Sequence, residues 1–344
     1  MPFGRRWFAV MLLLMAPVAS AWNDAGHMIT ALIAYDELSP AVRARTLRLL
    51  RAHPRFHEDF ERQLPRNLVS ADAVEKDRWY FAFGATWPDA ARRFDRVRAA
   101  SRDSLIARYN HGSWHYINLP TYLRPSDRKQ IAQNPPSMRW TEGLDDTRLN
   151  IVQALDKLTA NWCAPFQTDA DRGLAVSWIV HLIGDLHQPL HSTALYAVPV
   201  FIHGDRGGND IAVVGGTTLH ALWDGALGED RRLRTLSPLA RDYASASAAE
   251  GAKNIQTDLP LVFQAWARRE RALAARVAYS QDVRSAVAAA SQSQVVQVRI
   301  DDAYRAAMAT TARQQIGLAG HRIAWVLAAL IPEGNAKMCD QRGH

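Results

Sequence analysis

Apolar residues recur every three to four positions through six stretches of the chain, 28–38, 41–52, 145–160, 170–187, 259–278 and 300–330. That period matches one face of an α-helix. Alanine, leucine and arginine fill these stretches, as intrinsic helix propensity favours. Proline punctuates between or just beside them at Pro40, Pro54, Pro120, Pro135, Pro136, Pro165 and Pro189. One segment breaks the helical period. In DIAVVGGTTLHA, residues 210–221, two β-branched runs flank Gly215 and Gly216. This is the pattern of a tight β-hairpin. The chain shows no internal repeat and no low-complexity linker. The pattern predicts a mainly α protein, with one helical domain over residues 22–332, a small β-hairpin, and a short tail at 333–344.

The first residues read differently. Arg5 and Arg6 precede an apolar run from Trp7 to Val18, followed by Ala19-Ser20-Ala21. A charged start, a short apolar core and small residues at the end make residues 1–21 a secretory signal peptide. The run is too short for a good membrane anchor. Cleavage is expected between Ala21 and Trp22. The net charge of the whole chain is +7. Without Arg5 and Arg6 it is +5, from 39 basic and 34 acidic residues. A modest positive excess suits a polyanionic partner but is weak evidence alone. The basic residues are mostly scattered arginines, with no tract of the kind that arms nucleic-acid binders. Two cysteines, Cys163 and Cys339, can pair in an oxidising compartment. Neither lies in a CxxC or near the histidines, which argues against a cysteine zinc site. No Asn-x-Ser/Thr sequon is present. Together these features favour a bacterial periplasmic or secreted protein.

Candidate chemistry concentrates in HLIGDLHQPLH, residues 181–191. On a helix, His181 and Asp185 stand at i and i+4, on one face, within reach of one ion. Pro189 should end the helix, and the turn after it can swing His191 toward a neighbouring site. A lone helical histidine is ordinarily just hydrogen-bonded. Here the same spacing occurs twice, because His220 and Asp224 repeat it in TLHALWD. A short helix starting near His220, fed by the hairpin, would place that pair on one face. Imidazole and carboxylate together suit a borderline-soft ion such as zinc. Three further segments carry polar residues in unusual places: WNDAGH (22–27), WPDAAR (87–92) and WHYI (114–117).

In order along the chain these read W-x4-H, W-x-D-x2-R, W-H-[FY]-I, H-x3-D-x-x-Q-P-L-H, G-G-N and L-H-x-L-W-D. Each is weak alone, but six in this order resemble the zinc-dependent single-strand nucleases typified by the fungal nucleases S-one and P-one. That family is related in fold to bacterial zinc phospholipase C. The resemblance covers almost the whole chain from Trp22. It implies three zinc ions. The first would be held by Asp89, His115 and His181. Asp185 would bridge from it to a second, which His27 and the free amine and carbonyl of Trp22 complete. The third would take His191, His220 and Asp224. A Trp22 amine still locked in a peptide bond cannot ligate, so removal of residues 1–21 would complete the centre. His53, His57, His111, His187, His203, His321 and His344 match no ligand position. His187, at i+6 from His181, points away from the metal face and reads as structural. His203 lies in a stretch, 192–206, that is longer than expected and could border the site.

The implied activity is endonucleolytic hydrolysis of single-stranded RNA and DNA to 5′-phosphorylated nucleotides, with 3′-nucleotidase activity as a second expected reaction. A hydroxide bridging two zinc ions would be the nucleophile. Arg92 matches the family arginine that steadies the transition-state phosphate. Asp89 and Asp185 serve the same chemistry as ligands. Tyr116 stands where the family stacks a nucleobase, although an aromatic there could equally be core. Asn118 replaces an aspartate that contacts the base, which leaves base preference open because an amide offers both donor and acceptor. Asn209, in GGN, is expected to brace the metal loop. Two other readings stay open. One is a phospholipase C on the same scaffold, disfavoured because Asp224 would then be expected as glutamate. The other is a zinc-binding protein without catalysis, for which Arg92 has no use.

Overall fold

The structure, a computed structural model, describes residues 22–95, 97–131, 148–251, 259–292 and 294–333. The helices in chain order are α1 (Asp24–Glu37), α2 (Pro40–Arg51), α3 (Ala73–Gly84), α4 (Trp87–Ala91), α5 (Ala99–Tyr109), α6 (Pro125–Ile131), α7 (Ile151–Ala160), α8 (Asp169–Leu186), α9 (Leu219–Asp224), α10 (Leu233–Gly251), α11 (Leu259–Leu273), α12 (Gln281–Ala289) and α13 (Asp302–Leu330). The strands are β1 (Leu119–Tyr122), β2 (Thr193–Tyr196), β3 (Ile211–Val213), β4 (Thr217–Thr218) and β5 (Val296–Val298). The fold class is mainly α, as the periodicity predicts.

Helix starts follow the local chemistry. Asn23, Ser39, Asp72, Thr218, Ser280 and Asp301 each accept a backbone N–H from the first turn that follows. Such caps satisfy donors that a helix leaves open at its N-terminus. Asn150 with Gln153 and Thr168 with Asp171 form reciprocal capping boxes. These caps correct the expected limits. The helix expected over 145–160 starts only at Ile151, and residues 145–147 lie outside the described residues. The helix expected over 259–278 changes to a π-turn at Ala274–Ala278.

Helix α8 is the axis of the molecule. From Ala175 to Leu186 every residue is buried. It packs against α2 on one side and against α4, α7 and α13 on others. A helix apolar nearly all round can only sit inside a core, and two polar residues on it, His181 and Asp185, go inside with it. Helices α1, α10 and α13 form a second packed layer. The periodic pattern misses α3, α5, α6, α10 and α12. In α3 the buried residues run consecutively from Trp79 to Ala82, and α6 and α12 are only 7 and 9 residues long. In α5 only Tyr109 is buried. In α10 the buried face mixes Leu233, Leu236 and Tyr243 with the small residues Ala240 and Ser247, so the apolar stripe is broken.

Two small sheets set the spacing around the centre. Strand β1 pairs parallel with β2, with Leu119 opposite Thr193 and Tyr122 opposite Tyr196. Because β1 follows His115 and β2 follows His191, this register brings the two histidine segments side by side. The Ile117 N–H donates to the His191 carbonyl at 2.8 Å. The expected hairpin forms as β3 and β4, with Val213 opposite Thr217, and Gly215 and Gly216 both take positive φ in its turn. Its second strand is shorter than expected, since Thr218 caps α9 and the chain is helical from Leu219. Strand β5 adds to β3 in parallel. Among the described residues, no helix is long and apolar enough to cross a membrane.

The close approach of α10 and α13 gives a stability prediction. A Cβ on Gly317 would collide with the Tyr243 carbonyl and the Ser247 hydroxyl. Gly317→Ala should therefore destabilise the fold by about 1–3 kcal/mol, read as a lower urea midpoint. An unchanged midpoint would mean that the two helices do not meet this closely.

Candidate metal centre

Each predicted ligand segment is delivered by a different local device. Asn23 caps α1 and places His27 in the first turn. Asp89 lies in α4, a single turn that Pro88 starts. His115 ends a 3₁₀ turn at Gly112–His115. His181 and Asp185 share one face of α8, and Pro189 opens a 3₁₀ turn, Pro189–Ser192, that carries His191. His220 and Asp224 share one face of α9. All eight of these side chains are buried.

The structure brings them together into three groups: His27, His181 and Asp185; Asp89, His115 and His181; and His191, His220 and Asp224. In the second group His181 Nε2 lies 2.9 Å from His115 Nδ1. Asp89 Oδ1 is 3.8 Å from His115 Nδ1 and 4.0 Å from His181 Nε2. Asp185 faces two groups at once. Its Oδ2 is 3.0 Å from His115 and 3.1 Å from His181, while its Oδ1 is 3.1 Å from His27 Nε2. That is the geometry of a bridging carboxylate. In the third group His191 Nε2 and His220 Nε2 are 3.1 Å apart, with Asp224 oxygens at 3.9 and 3.6 Å. A tetrahedral zinc with bonds of about 2.0–2.2 Å holds its donors about 3.2–3.6 Å apart; the spacings, 2.9–4.0 Å, straddle that range, so small side-chain shifts would admit such an ion.

The donor chemistry supports the same fit. His181, His191 and His220 each donate Nδ1–H to a backbone carbonyl, of Ala85, His115 and Gly207 respectively, at 2.6–2.7 Å. This fixes the ring orientation and turns Nε2 toward the group, as a lone pair wherever the ring is neutral. Burial lowers the pKa of His191 to about 4 and of His220 to about 3. Both rings are then neutral at pH 7, and two lone pairs face each other at 3.1 Å. Only a cation between them makes that contact favourable. In the first group, Asp185 Oδ1 and both ring nitrogens of His27 are buried without a hydrogen-bond partner. Orphaned buried polar atoms of this kind mark a place for an ion. Burial opposes the charge on Asp185, yet the positive His181 and the nearby nitrogens of His115 and His27 hold its pKa well below the usual carboxylate range. Burial likewise opposes charge on His181, and Asp185 and Asp89 overcome it, raising its pKa to about 9. In the metal-free chain a proton thus supplies the positive charge that the carboxylates require.

Other predicted residues fall as follows. Trp22 is fully buried, and the next N–H, of Asn23, donates to the Asp224 carbonyl at 3.1 Å, drawing this segment to the third group. Arg92 caps α4 with its Nη1 3.4 Å from Asp89 Oδ1 and keeps part of its side chain in solvent. Tyr116 is 43% exposed, so it is not a core residue. Asn118 is exposed as well. Asn209 donates its amide to the Arg206 carbonyl at 2.8 Å, within the loop that carries Gly207. His187 bonds the Ile183 carbonyl and Arg322 at 2.6 Å each and takes no part in the groups. His203 is exposed and belongs to none of the groups. Cys163 is described, whereas Cys339 and His344 lie outside the described residues.

Two residues escaped the sequence reading. Gln188 donates to Asp224 Oδ1 at 2.8 Å and accepts the Leu190 N–H through its side-chain oxygen. Asp205 is fully buried and accepts four donors: the N–H groups of Leu195, Gly207 and Gly208, and the Tyr279 hydroxyl. It pins the loop whose Gly207 carbonyl orients His220. Gln188 sits inside a quoted motif and Asp205 just before GGN, so motif proximity was the available signal.

A model of the S1/P1 nuclease family matches residues 22–332. The chain belongs to the S1/P1 nuclease family. Hydrolysis of nucleic acid is therefore its reaction class; the family is zinc-dependent, and the three His/Asp groups are this chain's candidate metal sites. No curated protein matches the chain.

Two predictions follow from the second sphere and from burial. Asp205→Ala should lower zinc content toward two ions per chain, read by elemental analysis, with the family's phosphodiesterase activity falling about 10–100-fold. A full three-ion content would remove Asp205 from this role. For the metal-stripped chain, the folded pKa values of His191 and His220 lie below the unfolded value of about 6.5. Their neutral form contributes stability that is complete above about pH 6.5 and is lost as pH falls toward about 4. His220→Asn should flatten that loss in urea titrations, and an identical pH slope would refute the assignment.

Proposed function

We propose that the mature chain, starting at Trp22, is an exported zinc-dependent endonuclease. It cleaves single-stranded RNA and DNA to 5′-phosphorylated products and also removes 3′-phosphates from nucleotides. The observation that carries this reading is the Asp185 carboxylate facing two donor groups, with a third group beside them. Asp89, His115 and His181 would hold one ion. His27, Asp185 and the Trp22 amine and carbonyl would hold the second. His191, His220 and Asp224 would hold the third.

When bound, the ions would supply Lewis-acid charge and would lower the pKa of the attacking water toward neutral. The chain's own residues do the rest. The Arg92 guanidinium, fixed against Asp89, meets the non-bridging phosphate oxygens as charge builds on them. The exposed face of Tyr116 stacks a base, which suits any base and only an unpaired strand. The Asn118 amide offers donor and acceptor to the base edge. The water oxygen bonds to phosphorus as the P–O3′ bond breaks, the phosphate stays on the 5′ oxygen of its nucleotide, and the 3′ oxygen leaves as a hydroxyl with a proton that derives from that water.

Residues 1–21 act as the signal peptide, and the protein works in the periplasm or outside the cell. Cleavage before Trp22 frees the amine, so export and completion of the centre are one event. Cys163 and Cys339 pair after export and tie the tail to the body.

The test is one assay on mature, zinc-loaded protein given single-stranded RNA, single-stranded DNA and phosphatidylcholine, with and without chelator. Release of 5′-nucleotides should be abolished by chelator and by Asp185→Asn. Arg92→Ala should keep its zinc and lose about 10²–10³ in kcat. Lipid cleavage alone would move the assignment to a phospholipase C. Zinc binding with neither activity would leave a zinc-binding protein.

A further inference from the structure

We propose that the chain has a second base-binding subsite, separate from the metal centre, at the turn between α7 and α8. This rests on the nuclease reading above and extends its substrate contact to a longer single strand.

A cavity of about 170 Å³ opens there. Its inner walls are Trp114, Trp162 and Trp178, and its rim carries Lys157, Asn161 and Gln167. The Trp162 side chain is buried, and its Nε1–H has no acceptor. A buried donor without a partner costs free energy unless a water or a ligand fills the need. The volume is below the roughly 300 Å³ of a whole-ligand pocket. It suits one flat heterocycle, with sugar and phosphate left outside at the lysine. The rim amides of Asn161 and Gln167 offer both donors and acceptors to a base edge.

An independent observation lies next to the rim residue Gln167 in the chain. Among the described residues only two aromatic side chains, Tyr116 and Phe166, are exposed. Phe166 is 71% exposed and precedes the rim residue Gln167. It is held at the tip of a turn that the Gln167 N–H closes onto the Ala164 carbonyl at 3.0 Å. Pro165 in that turn stiffens it further. Both aromatics flank α7. The Tyr116 carbonyl accepts the Ile151 N–H at 3.1 Å, where α7 starts, and Asn161 follows its last residue. Ten residues at 1.5 Å each separate these points by about 15 Å. That is about four nucleotides of a stacked strand at about 3.4 Å each. A strand with one base on Tyr116 can thus reach Phe166 and the cavity without leaving the helix. The cavity also backs onto the centre, since Trp178 meets His115 edge to face at 5.5 Å.

The experiment uses zinc-loaded mature protein and oligodeoxyadenylates of two to eight nucleotides. Wild type should gain kcat/KM with length up to about six nucleotides, through KM. Phe166→Ala should raise KM for the longer substrates about tenfold, the worth of one stacked base, and leave the dinucleotide unchanged. Ala175→Leu, which fills the cavity, should do the same, with its fold checked by circular dichroism and its zinc by elemental analysis. Lys157→Ala should reduce the salt dependence of KM for the longer substrates. Tryptophan fluorescence with adenosine 5′-monophosphate gives a readout independent of turnover. Quenching that survives Tyr116→Ala but not Phe166→Ala supports the subsite. It would do so even if the chain cleaved no nucleic acid, in which case the nuclease reading alone falls. Cleavage with the same length dependence in wild type, Phe166→Ala and Ala175→Leu would overturn the subsite and leave the nuclease reading standing.

Discussion

The buried charge of Asp185 is the constraint on which the rest of the structure depends. The carboxylate has no exposed surface, and histidine nitrogens stand 3.0–3.1 Å away on both of its oxygens. A buried anion is costly unless positive charge is close. In the metal-free chain His181 provides it, with a pKa raised to about 9 between two carboxylates. The three donor groups provide room for more. A core that carries this much uncompensated demand is organised to bind cations, and its apolar surroundings make each contact stronger by excluding water.

The scaffold answers that demand through backbone carbonyls. Ala85, His115 and Gly207 each accept a hydrogen bond from one candidate ligand ring, and each comes from a different part of the chain. The parallel β1–β2 pair fixes the distance between the His115 and His191 segments. Asp205 performs the equivalent task for the Gly207 loop with four hydrogen bonds to one side chain. The small sheets therefore matter less as sheets than as the means by which ligand rings are aimed. Outside this dry interior the protein offers two exposed aromatics and, at its edge, the mostly buried guanidinium of Arg92. A rigid centre and an open face are what a flexible, charged polymer needs to reach buried ions.

Much of the site was legible in the sequence because two of its pairs lie on helices. His181 with Asp185, and His220 with Asp224, need only the i, i+4 geometry to share a face, and that follows from spacing. The helical class followed from periodicity where a long helix buries one continuous apolar stripe. It failed for α3, whose buried residues run consecutively, for the short α6 and α12, for α5, which is mostly exposed, and for α10, whose buried face includes alanine and serine. It also gave the hairpin one strand too long, because a cap at Thr218 decides where strand yields to helix.

By itself the sequence determined the helical fold class, the two helical ligand pairs and the order of the motifs, since all of these depend on neighbours along the chain. Only the tertiary structure decided that Asp185 turns its two oxygens to different groups. It alone placed His115 beside His181, although 66 positions separate them. It also took Tyr116 and Phe166 to the surface and made Asp205 and Gln188 part of the centre. Those outcomes depend on packing and on hydrogen bonds between distant segments, and no local periodicity encodes them.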